Sequence, residues 1–574
     1  MTVSADAPCT AFVSSGNLSS GKREKLPFTA NNAVSILYIL AMLVVFPLWS
    51  NHKYDTLAQD KVNFLVPATI SFLILSAVVL LFRLLIHPGK TLHRPQAFSL
   101  SDAMMMLFFA AVVVSWQCSK WPDEAYWGSD YRHHGLVVIA MYVLAYFLLS
   151  RFARRLQWVS LAFLFGALPV FWLGLQNFLG NDPLGFYRKS SLHFVDTCIS
   201  TIGNWNFYAS FVCMYLAVMC AMFLKSKKLP LTILYGFGVL AGSMALICGS
   251  SDSGFFGLAV LLLVLPFFIS AWRDFAHFAL IPALLFLAGK VMHLIVTGNH
   301  DTTKIPLRGF SKMLMESISG WVFLAVCTGV AVFFLILQKA KPDAVLPRAP
   351  KIVWGVLLAG GTAAVIMAVI YFSTVNTTAE LGAFEKYLRF NDQWGSTRGF
   401  AWIRAMREYA KYDTLHKLFG TGIDTAKHLF AKYYASMISV TGASFENVHN
   451  EYLQYLVTIG AVGVLGYIGL IAAVITRAFR RARSSRIVLA LGIAVLCYAA
   501  QGVFNITQTM TTPVFFTLLA LTEACSRGID ADARFAARKA ARSAAPLAPA
   551  VPTPPAAQPK AAAQLGATDI TENF

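Results

Sequence analysis

The chain is dominated by apolar runs that are long enough to cross a lipid bilayer. A membrane-spanning helix needs roughly 20 apolar residues, and we identify about fourteen runs close to that length. They lie at residues 33–50, 63–86, 101–117, 135–151, 157–178, 205–224, 229–248, 254–271, 276–297, 318–338, 352–374, 452–476, 486–506 and 511–525. Only 13% of the residues are charged, against about a quarter in average soluble proteins. The sequence therefore predicts an all-α polytopic membrane protein and excludes a soluble globular enzyme.

Most basic residues form short clusters between the apolar runs, and together they give a net charge of +19. The clusters occupy alternate connections, which is how membrane proteins mark their cytoplasmic side. Their members are Lys22–Lys25, Arg83, Lys90, Arg94, Arg151, Arg154, Arg155, Lys225, Lys227, Lys228, Arg273, Lys339, Lys341, Arg348, Lys351, Arg477, Arg480, Arg481, Arg483, Arg486 and Arg527–Arg542. We therefore predict an even number of spans with both termini in the cytoplasm, and no binding of nucleic acid.

The expected organisation has three parts. Residues 1–30 are polar and form a cytoplasmic N-terminal segment; they show no cleavable signal peptide, so the first apolar run reads as a signal anchor. Residues 31–525 form the transmembrane domain. Residues 526–574 are rich in Ala and Pro, and we expect them to be a disordered cytoplasmic tail. Cys118 and Cys198 fall in outward connections, where they are either two separate thiols or a disulfide.

One outward connection, residues 376–450, is much longer than the others. Irregular backbone is not tolerated in the hydrocarbon of a bilayer, so an enzyme acting on polar substrates is expected to carry its site in such a loop. Residues 399–411 have apolar and charged side chains on opposite faces of a predicted helix. Ser396 or Thr397 is placed to cap the start of this helix.

The most informative segment is HNEYLQ at 449–454, followed by Gly460 and Gly463, where the long loop enters a predicted span. A histidine alone at this position is typically a helix cap or an interfacial anchor. Here the whole pattern resembles the C-terminal signature of the O-antigen ligase and O-antigen polymerase family, which also contains bacterial oligosaccharyltransferases that glycosylate pilins.

Four further segments resemble motifs of the same family, in the same order and on the same side of the membrane. They are YWGSDYRHHG at 126–135, STIGNWNF at 200–207, WGSTRG at 394–399 and LFGTG at 418–422. The resemblance extends from about residue 100 to residue 510. It implies a glycosyltransferase C-type bundle of helices with a large extracytoplasmic loop, although the number of spans exceeds the usual number in the ligases.

The resemblance also implies a reaction. The family transfers a glycan from an undecaprenyl diphosphate carrier, so the leaving group gains negative charge. Guanidinium groups suit a diphosphate because they present paired donors and stay charged. Arg398 and Arg132 are the residues predicted for this role; an interfacial arginine that binds lipid headgroups is the alternative for each. His449 is the predicted acid, base or acceptor-orienting group, because imidazole titrates near neutral pH.

Three more residues complete the predicted binding set. Lys290 lies inside a span with His293 on the same face, and it either contributes to the site or extends to the membrane surface. Arg404 and Glu446 belong to the long loop. For Arg404 the alternative is a charge facing solvent or headgroups, and for Glu446 it is ordinary surface charge.

No metal or other cofactor is expected, because the outward loops show no DxD-type pair and the family is regarded as metal-independent. The acceptor hydroxyl remains open among lipid A core, a growing glycan and a protein side chain. The rival function from another class is a flippase or exporter of lipid-linked oligosaccharides. A flippase needs a charged cavity lined by many spans, whereas these spans are nearly free of charge. The expected location is the cytoplasmic (inner) membrane.

Overall fold

A computed structural model describes residues 30–51, 53–86, 98–192, 195–299, 303–342, 346–442 and 444–544. The described chain is 78% helical with almost no strand, so the prediction of an all-α protein is confirmed. Two short strands, Cys198–Ile199 and Gly203–Asn204, pair antiparallel with Cys198 opposite Asn204. Cys118 is a free thiol, so no disulfide joins it to Cys198.

In the described part of the chain, eleven helices are long and apolar enough to cross a membrane. The polytopic character predicted from the sequence therefore holds. These helices are Ala30–Leu48, Leu57–Ile86, Leu100–Gln117, Leu156–Phe178, Trp205–Leu224, Leu229–Gly249, Trp272–Gly298, Ser319–Ala340, Ala349–Thr374, Glu451–Arg481 and Arg486–Phe504.

The three other predicted spans also fall on helices. Leu136–Phe152 and Asp252–Phe268 are apolar but shorter, and the last lies in Thr512–Ala544, which is not among the eleven. The exact count of fourteen therefore stays a prediction.

The chain divides into two units, residues 1–528 and 529–574. Within the second unit the backbone remains helical as far as Ala544, so the expectation of disorder from residue 526 is wrong for this stretch. The physical reason is its many alanine and arginine residues, which have high helix propensity. Residues 1–29 and 545–574, for which a cytoplasmic segment and a disordered tail were predicted, lie outside the described residues.

Short helices connect the long ones, and most of them lie between the eleventh and twelfth predicted spans. The connecting helices are Pro122–Trp127, Phe186–Lys189, Val195–Thr197, Gly309–Glu316, Gly382–Phe384, Glu385–Leu388, Trp394–Lys411, Thr414–Phe419, Ala426–Ala431 and Tyr434–Thr441. The long loop is therefore a folded layer of short helices rather than an extended connection.

The long helices differ in how far they are surrounded by others. The apolar window of Trp205–Leu224 is 94% buried, whereas that of Ser319–Ala340 is 11% buried and that of Ala349–Thr374 is 0% buried. Side chains such as Val356, which is 66% exposed, would form a large apolar patch in water. Trp205–Leu224 is thus the centre of the bundle, and the two exposed helices are suited to contact lipid.

Candidate active site

Two glycines allow the long loop to pack closely against the helix Glu451–Arg481. Gly420 (φ +72°) and Gly460 (φ +70°) both have left-handed backbone, and Gly460 kinks this helix. A Cβ atom on Gly420 would lie 2.2 Å from the carbonyl carbon of Thr458, and one on Gly460 would lie 2.2 Å from that of Leu418. Only glycine allows the two backbones to approach so closely. Two motifs noted in the sequence therefore pack against each other.

Asp424 lies just beyond this contact and joins two connecting segments. Its Oδ1 accepts a hydrogen bond from Nε of Arg132 at 3.0 Å, and its Oδ2 accepts from the N and Oγ of Ser129 at 2.7 and 2.8 Å. The backbone N of His134 donates to Oδ2 at 3.3 Å. The Arg132 and Asp424 side chains are only 7% and 4% exposed. Such a buried charge pair is stable only with several hydrogen bonds, and Asp424 has them.

The electrostatics agree with this geometry. Burial alone would raise the pKa of Asp424, but the nearby Arg132 and His134 and the hydrogen bonds from Ser129 hold it below its usual value. Arg132 also donates from Nη2 to the backbone oxygen of Glu446 at 3.4 Å. The guanidinium is therefore fixed between Asp424 and the segment that leads into His449.

His449 lies at the start of the helix Glu451–Arg481 but does not cap it. The cap is Asn450, whose Oδ1 accepts hydrogen bonds from the backbone N of Tyr452 and of Leu453, both at 3.0 Å. The interpretation of His449 as a helix cap is thus wrong, because the shorter asparagine side chain reaches these donors. The ring of Phe445 packs edge-on against the imidazole at 5.4 Å, and the His449 side chain is half-buried.

Two other predicted site residues, Arg398 and Arg132, act on this imidazole through their charges. Burial lowers the pKa of His449 to about 3, and the positive charges of Arg398 and Arg132 contribute to the shift. The imidazole is therefore neutral at physiological pH. His449, Arg398 and Arg132 come from three separate motifs of the sequence and interact electrostatically; we call these three residues the His–Arg cluster.

Arg398 follows a sharp turn at the start of the helix Trp394–Lys411. Gly395, Ser396 and Thr397 all have positive φ, and neither Ser396 nor Thr397 caps the helix, so the predicted cap is wrong. The guanidinium donates from Nη1 to the oxygen of Gly395 at 2.9 Å and from Nε to the oxygen of Phe504 at 3.2 Å. Burial lowers the pKa of Arg398, and the negative charge of Asp252 opposes this shift.

Left-handed backbone at residues other than glycine is concentrated at this site. Of the eight such residues in the described chain, five belong to the segments of this site: His133 (φ +48°), Ser396 (φ +61°), Thr397 (φ +71°), Asp424 (φ +61°) and His449 (φ +51°); the others are Arg155, Ser200 and Ser250. Each such residue costs about 1–3 kcal/mol, and strain of this kind clusters at active sites and ligand clamps. The positions of these residues thus favour a functional role for the cluster over a purely structural one.

Lys290 has other partners. Its Nζ donates to the backbone oxygens of Met315 at 3.1 Å and Ser317 at 2.6 Å, and it lies 5.9 Å from the ring centre of Trp321. The side chain is buried against these carbonyls, which directly precede the helix Ser319–Ala340. None of these contacts involves a residue of the His–Arg cluster.

Arg404 and Glu446 also differ from the cluster residues. The Arg404 guanidinium pairs with Asp392 and lies 3.8 Å from the ring centre of Phe400. The Glu446 side chain is exposed, and its contribution to the site is its backbone oxygen, which accepts from Arg132. Arg404 is thus engaged outside the cluster, whereas Glu446 contributes through its main chain.

Two carboxylates near the arginines were missed in the sequence. Asp424 comes two residues after Gly422, directly beyond the LFGTG motif, and Asp252 is the first residue of the helix Asp252–Val264. An acidic residue next to a glycine-rich turn was an available signal for Asp424. Nothing in the sequence indicated that Asp252 faces Arg398.

One comparison with known families gives a match. The family model described as O-antigen ligase matches residues 309–468, so the resemblance predicted from the sequence is confirmed over this segment. The matched segment contains Arg398, Asp424 and His449, whereas Arg132 precedes it. A search of curated proteins finds no match. Together with the membrane-spanning helices, the family match supports a membrane glycosyltransferase-like ligase.

Proposed function

We propose that this protein transfers a glycan from undecaprenyl diphosphate to an acceptor hydroxyl at the extracytoplasmic face of the cytoplasmic membrane. The observation that carries the proposal is the His–Arg cluster: a neutral imidazole that feels the charges of the buried Arg132 and the half-buried Arg398. The family match over residues 309–468 agrees with this reaction class. The transfer needs no metal ion, because the arginines supply the positive charge that the leaving group requires.

The two arginines bind the diphosphate and stabilise the charge that develops on it. An arginine carries five N–H donors. Arg398 directs two of them to the oxygens of Gly395 and Phe504, and Arg132 directs two to Asp424 and Glu446. The remaining donors are held by rigid neighbours, so little reorganisation is needed when the diphosphate binds. Preorganised donors of this kind often provide the largest part of catalysis.

His449 accepts the proton of the acceptor hydroxyl. The hydroxyl oxygen forms a bond to the anomeric carbon, the bond from that carbon to the diphosphate oxygen breaks, and undecaprenyl diphosphate leaves with the electron pair. A neutral imidazole has the free lone pair that this step requires. Burial lowers the pKa of the free His449, and the charges of Arg398 and Arg132 lower it further. A bound diphosphate neutralises those charges, so the imidazole becomes a stronger base only when the donor is present.

The rival function is flipping or export of the lipid-linked glycan. A flippase has no need of a neutral base beside two guanidinium groups. The two functions differ in their product, since only a transferase forms a new glycosidic bond and releases undecaprenyl diphosphate.

The test is transfer by the purified protein in detergent or nanodiscs. An undecaprenyl-diphosphate glycan is offered with lipid A core, with a second lipid-linked glycan and with a pilin-type protein. Release of undecaprenyl diphosphate with a glycosylated acceptor supports the proposal and identifies the acceptor. Transfer to none of the three acceptors, together with donor translocation in proteoliposomes, would instead establish the flippase.

A further inference from the structure

A second group of polar side chains lies beside Arg398, at the ends of three different helices. Asn206 belongs to the first turn of Trp205–Leu224, and Gln501 ends Arg486–Gln501. Ser251, Asp252 and Ser253 form the start of Asp252–Val264. We call these five residues the polar subsite. The backbone oxygen of Phe504 accepts a hydrogen bond from Arg398, and Phe504 follows Gln501 by three residues. The subsite and the guanidinium therefore both border the end of the helix Arg486–Gln501.

Hydrogen bonds connect most members of the polar subsite. Ser251 Oγ donates to Asn206 Oδ1 at 2.7 Å, and the hydroxyls of Ser251 and Ser253 are 2.9 Å apart. Gln501 Nε2 donates to Ser253 Oγ at 3.3 Å. Polar side chains from three helices are therefore preorganised in one row, which is how proteins prepare a site for a polar ligand.

One acceptor in this row is not satisfied. Gln501 is only 1% exposed, and its Oε1 has no hydrogen-bond partner among the described residues. A buried polar atom without a partner is costly, and native structures keep few of them. The amide oxygen would be satisfied by a donor such as a hydroxyl group of a ligand.

Asp252 supplies the exposed rim of the subsite. Its carboxylate packs against Gly309, where an added Cβ would lie 2.1 Å from Oδ1, so a side chain at residue 309 would displace it. The carboxylate is exposed, and its negative charge acts on Arg398. A carboxylate repels a phosphate but accepts hydrogen bonds from hydroxyl groups. The polar subsite therefore suits a neutral, hydroxyl-rich group next to a phosphate.

We propose that the polar subsite binds the hydroxyl groups of the sugar that is attached directly to the diphosphate of the donor. This inference rests on the proposed function, in which Arg398 binds that diphosphate. The first sugar is covalently joined to the diphosphate, so it must occupy the space next to Arg398. The carboxylate of Asp252 and the amide oxygen of Gln501 then accept from its hydroxyls. Asn206 and Ser251 hold the row in place.

The test compares two ligands on the full-length purified protein. One probe is undecaprenyl diphosphate alone, and the other is undecaprenyl diphosphate that carries one sugar, offered as glucose, galactose or N-acetylglucosamine. Each Kd is measured by microscale thermophoresis in nanodiscs. We expect at least one sugar to tighten binding by about tenfold, the size expected for a hydrogen bond to a charged group. Asp252→Asn and Gln501→Leu should each remove most of this gain.

The affinity for undecaprenyl diphosphate alone serves as the folding control. It should be unchanged in Gln501→Leu and no weaker in Asp252→Asn, which removes a negative charge that acts on Arg398. Asp196→Asn is the matched control for Asp252→Asn, since Asp196 is an exposed aspartate that pairs with Lys304 instead. Equal wild-type affinity for the two ligands would overturn the subsite and leave the donor assignment intact. A gain that survives in both variants would also overturn it. Binding of neither ligand would refute the proposed function itself.

Discussion

Replacing Asp424 with asparagine should strongly lower the rate of the proposed glycan transfer through its effect on Arg132. Oδ1 of Asp424 accepts a hydrogen bond from Nε of Arg132 at 3.0 Å, and Oδ2 accepts one from the backbone N of Ser129 at 2.7 Å. Asparagine keeps the size of the side chain but has one acceptor oxygen and one NH₂ group. That NH₂ group must face either Arg132 or Ser129, both of which are donors. The variant therefore loses at least one of the two hydrogen bonds and the charge that balances the buried guanidinium.

The magnitude follows from the burial of the pair, whose side chains are 7% and 4% exposed. Removing one partner of a buried ion pair typically costs about 3–5 kcal/mol. Arg132 would then leave its position, and losing one charge-stabilising donor lowers a rate by roughly 10²–10³. We expect a loss of that order for Asp424→Asn and a similar loss for Arg132→Ala. If Asp424 acts only through Arg132, the double variant should lose no more than the worse single variant.

The assay is kcat/KM for glycan transfer by the three variants, with a thermal unfolding scan to verify that each is folded. Asp182→Asn is the matched control, because Asp182 also binds backbone donors, those of Phe186 and Tyr187, but lies outside the His–Arg cluster. Its activity should stay close to that of the wild type. Losses that multiply in the double variant would refute the claim that Asp424 works by positioning Arg132.

Three further predictions concern pH, metal and topology. In the proposed mechanism His449 acts as a base in its neutral form, so kcat/KM should fall only as the pH drops through about 3, the value to which burial and the two arginines lower its pKa. Arg398→Gln removes one of these charges and should move the fall to higher pH, whereas an unchanged pH profile would contradict the interaction between Arg398 and His449. EDTA should leave transfer intact, and loss of activity that Mg²⁺ or Mn²⁺ restores would argue against catalysis by arginines alone. Reporter fusions should place residue 420 outside the cytoplasm and residue 482 inside it, and the reverse result would overturn the assignment of the site to the outer face.

The membrane-spanning helices could be predicted because lipid imposes one simple requirement on sequence. Every predicted apolar run falls on a helix, since a long apolar segment can satisfy its backbone in lipid only by forming one. The end of the last helix was harder to predict from the sequence. The alanine-rich stretch up to Ala544 has the composition of a low-complexity tail and was predicted to be disordered, yet its high helix propensity keeps it helical.

The candidate site was predicted only in part. Residues that lie in short sequence motifs could be recognised, whereas their partners from distant segments could not. His449, Arg398 and Arg132 each lie in a short motif, so the sequence indicated them individually and the fold brings them together. The partners of charged residues depend on contacts between distant segments. Lys290 could not be assigned from sequence, because its carbonyl partners at Met315 and Ser317 follow a connection whose path the sequence does not specify. Asp424 was missed although its place beside a glycine-rich turn was an available signal, because its partner Arg132 lies in a distant segment.

Glycan transfer by four purified forms of the protein tests the central claim, that the His–Arg cluster performs the reaction. His449→Ala should lower the rate on the order of 10²–10⁴, the usual contribution of a general base. Arg398→Ala should cost roughly 10²–10³. Arg398→Lys should lose less, because lysine keeps the charge but not the paired donors.

Arg404→Ala is the matched control from the same helix, and it should retain most activity because Arg404 pairs with Asp392 outside the cluster. All four variants should insert and purify as the wild type does. The account predicts large losses at His449 and Arg398 with Arg404→Ala close to wild type. Near-full transfer by folded His449→Ala and Arg398→Ala would contradict it.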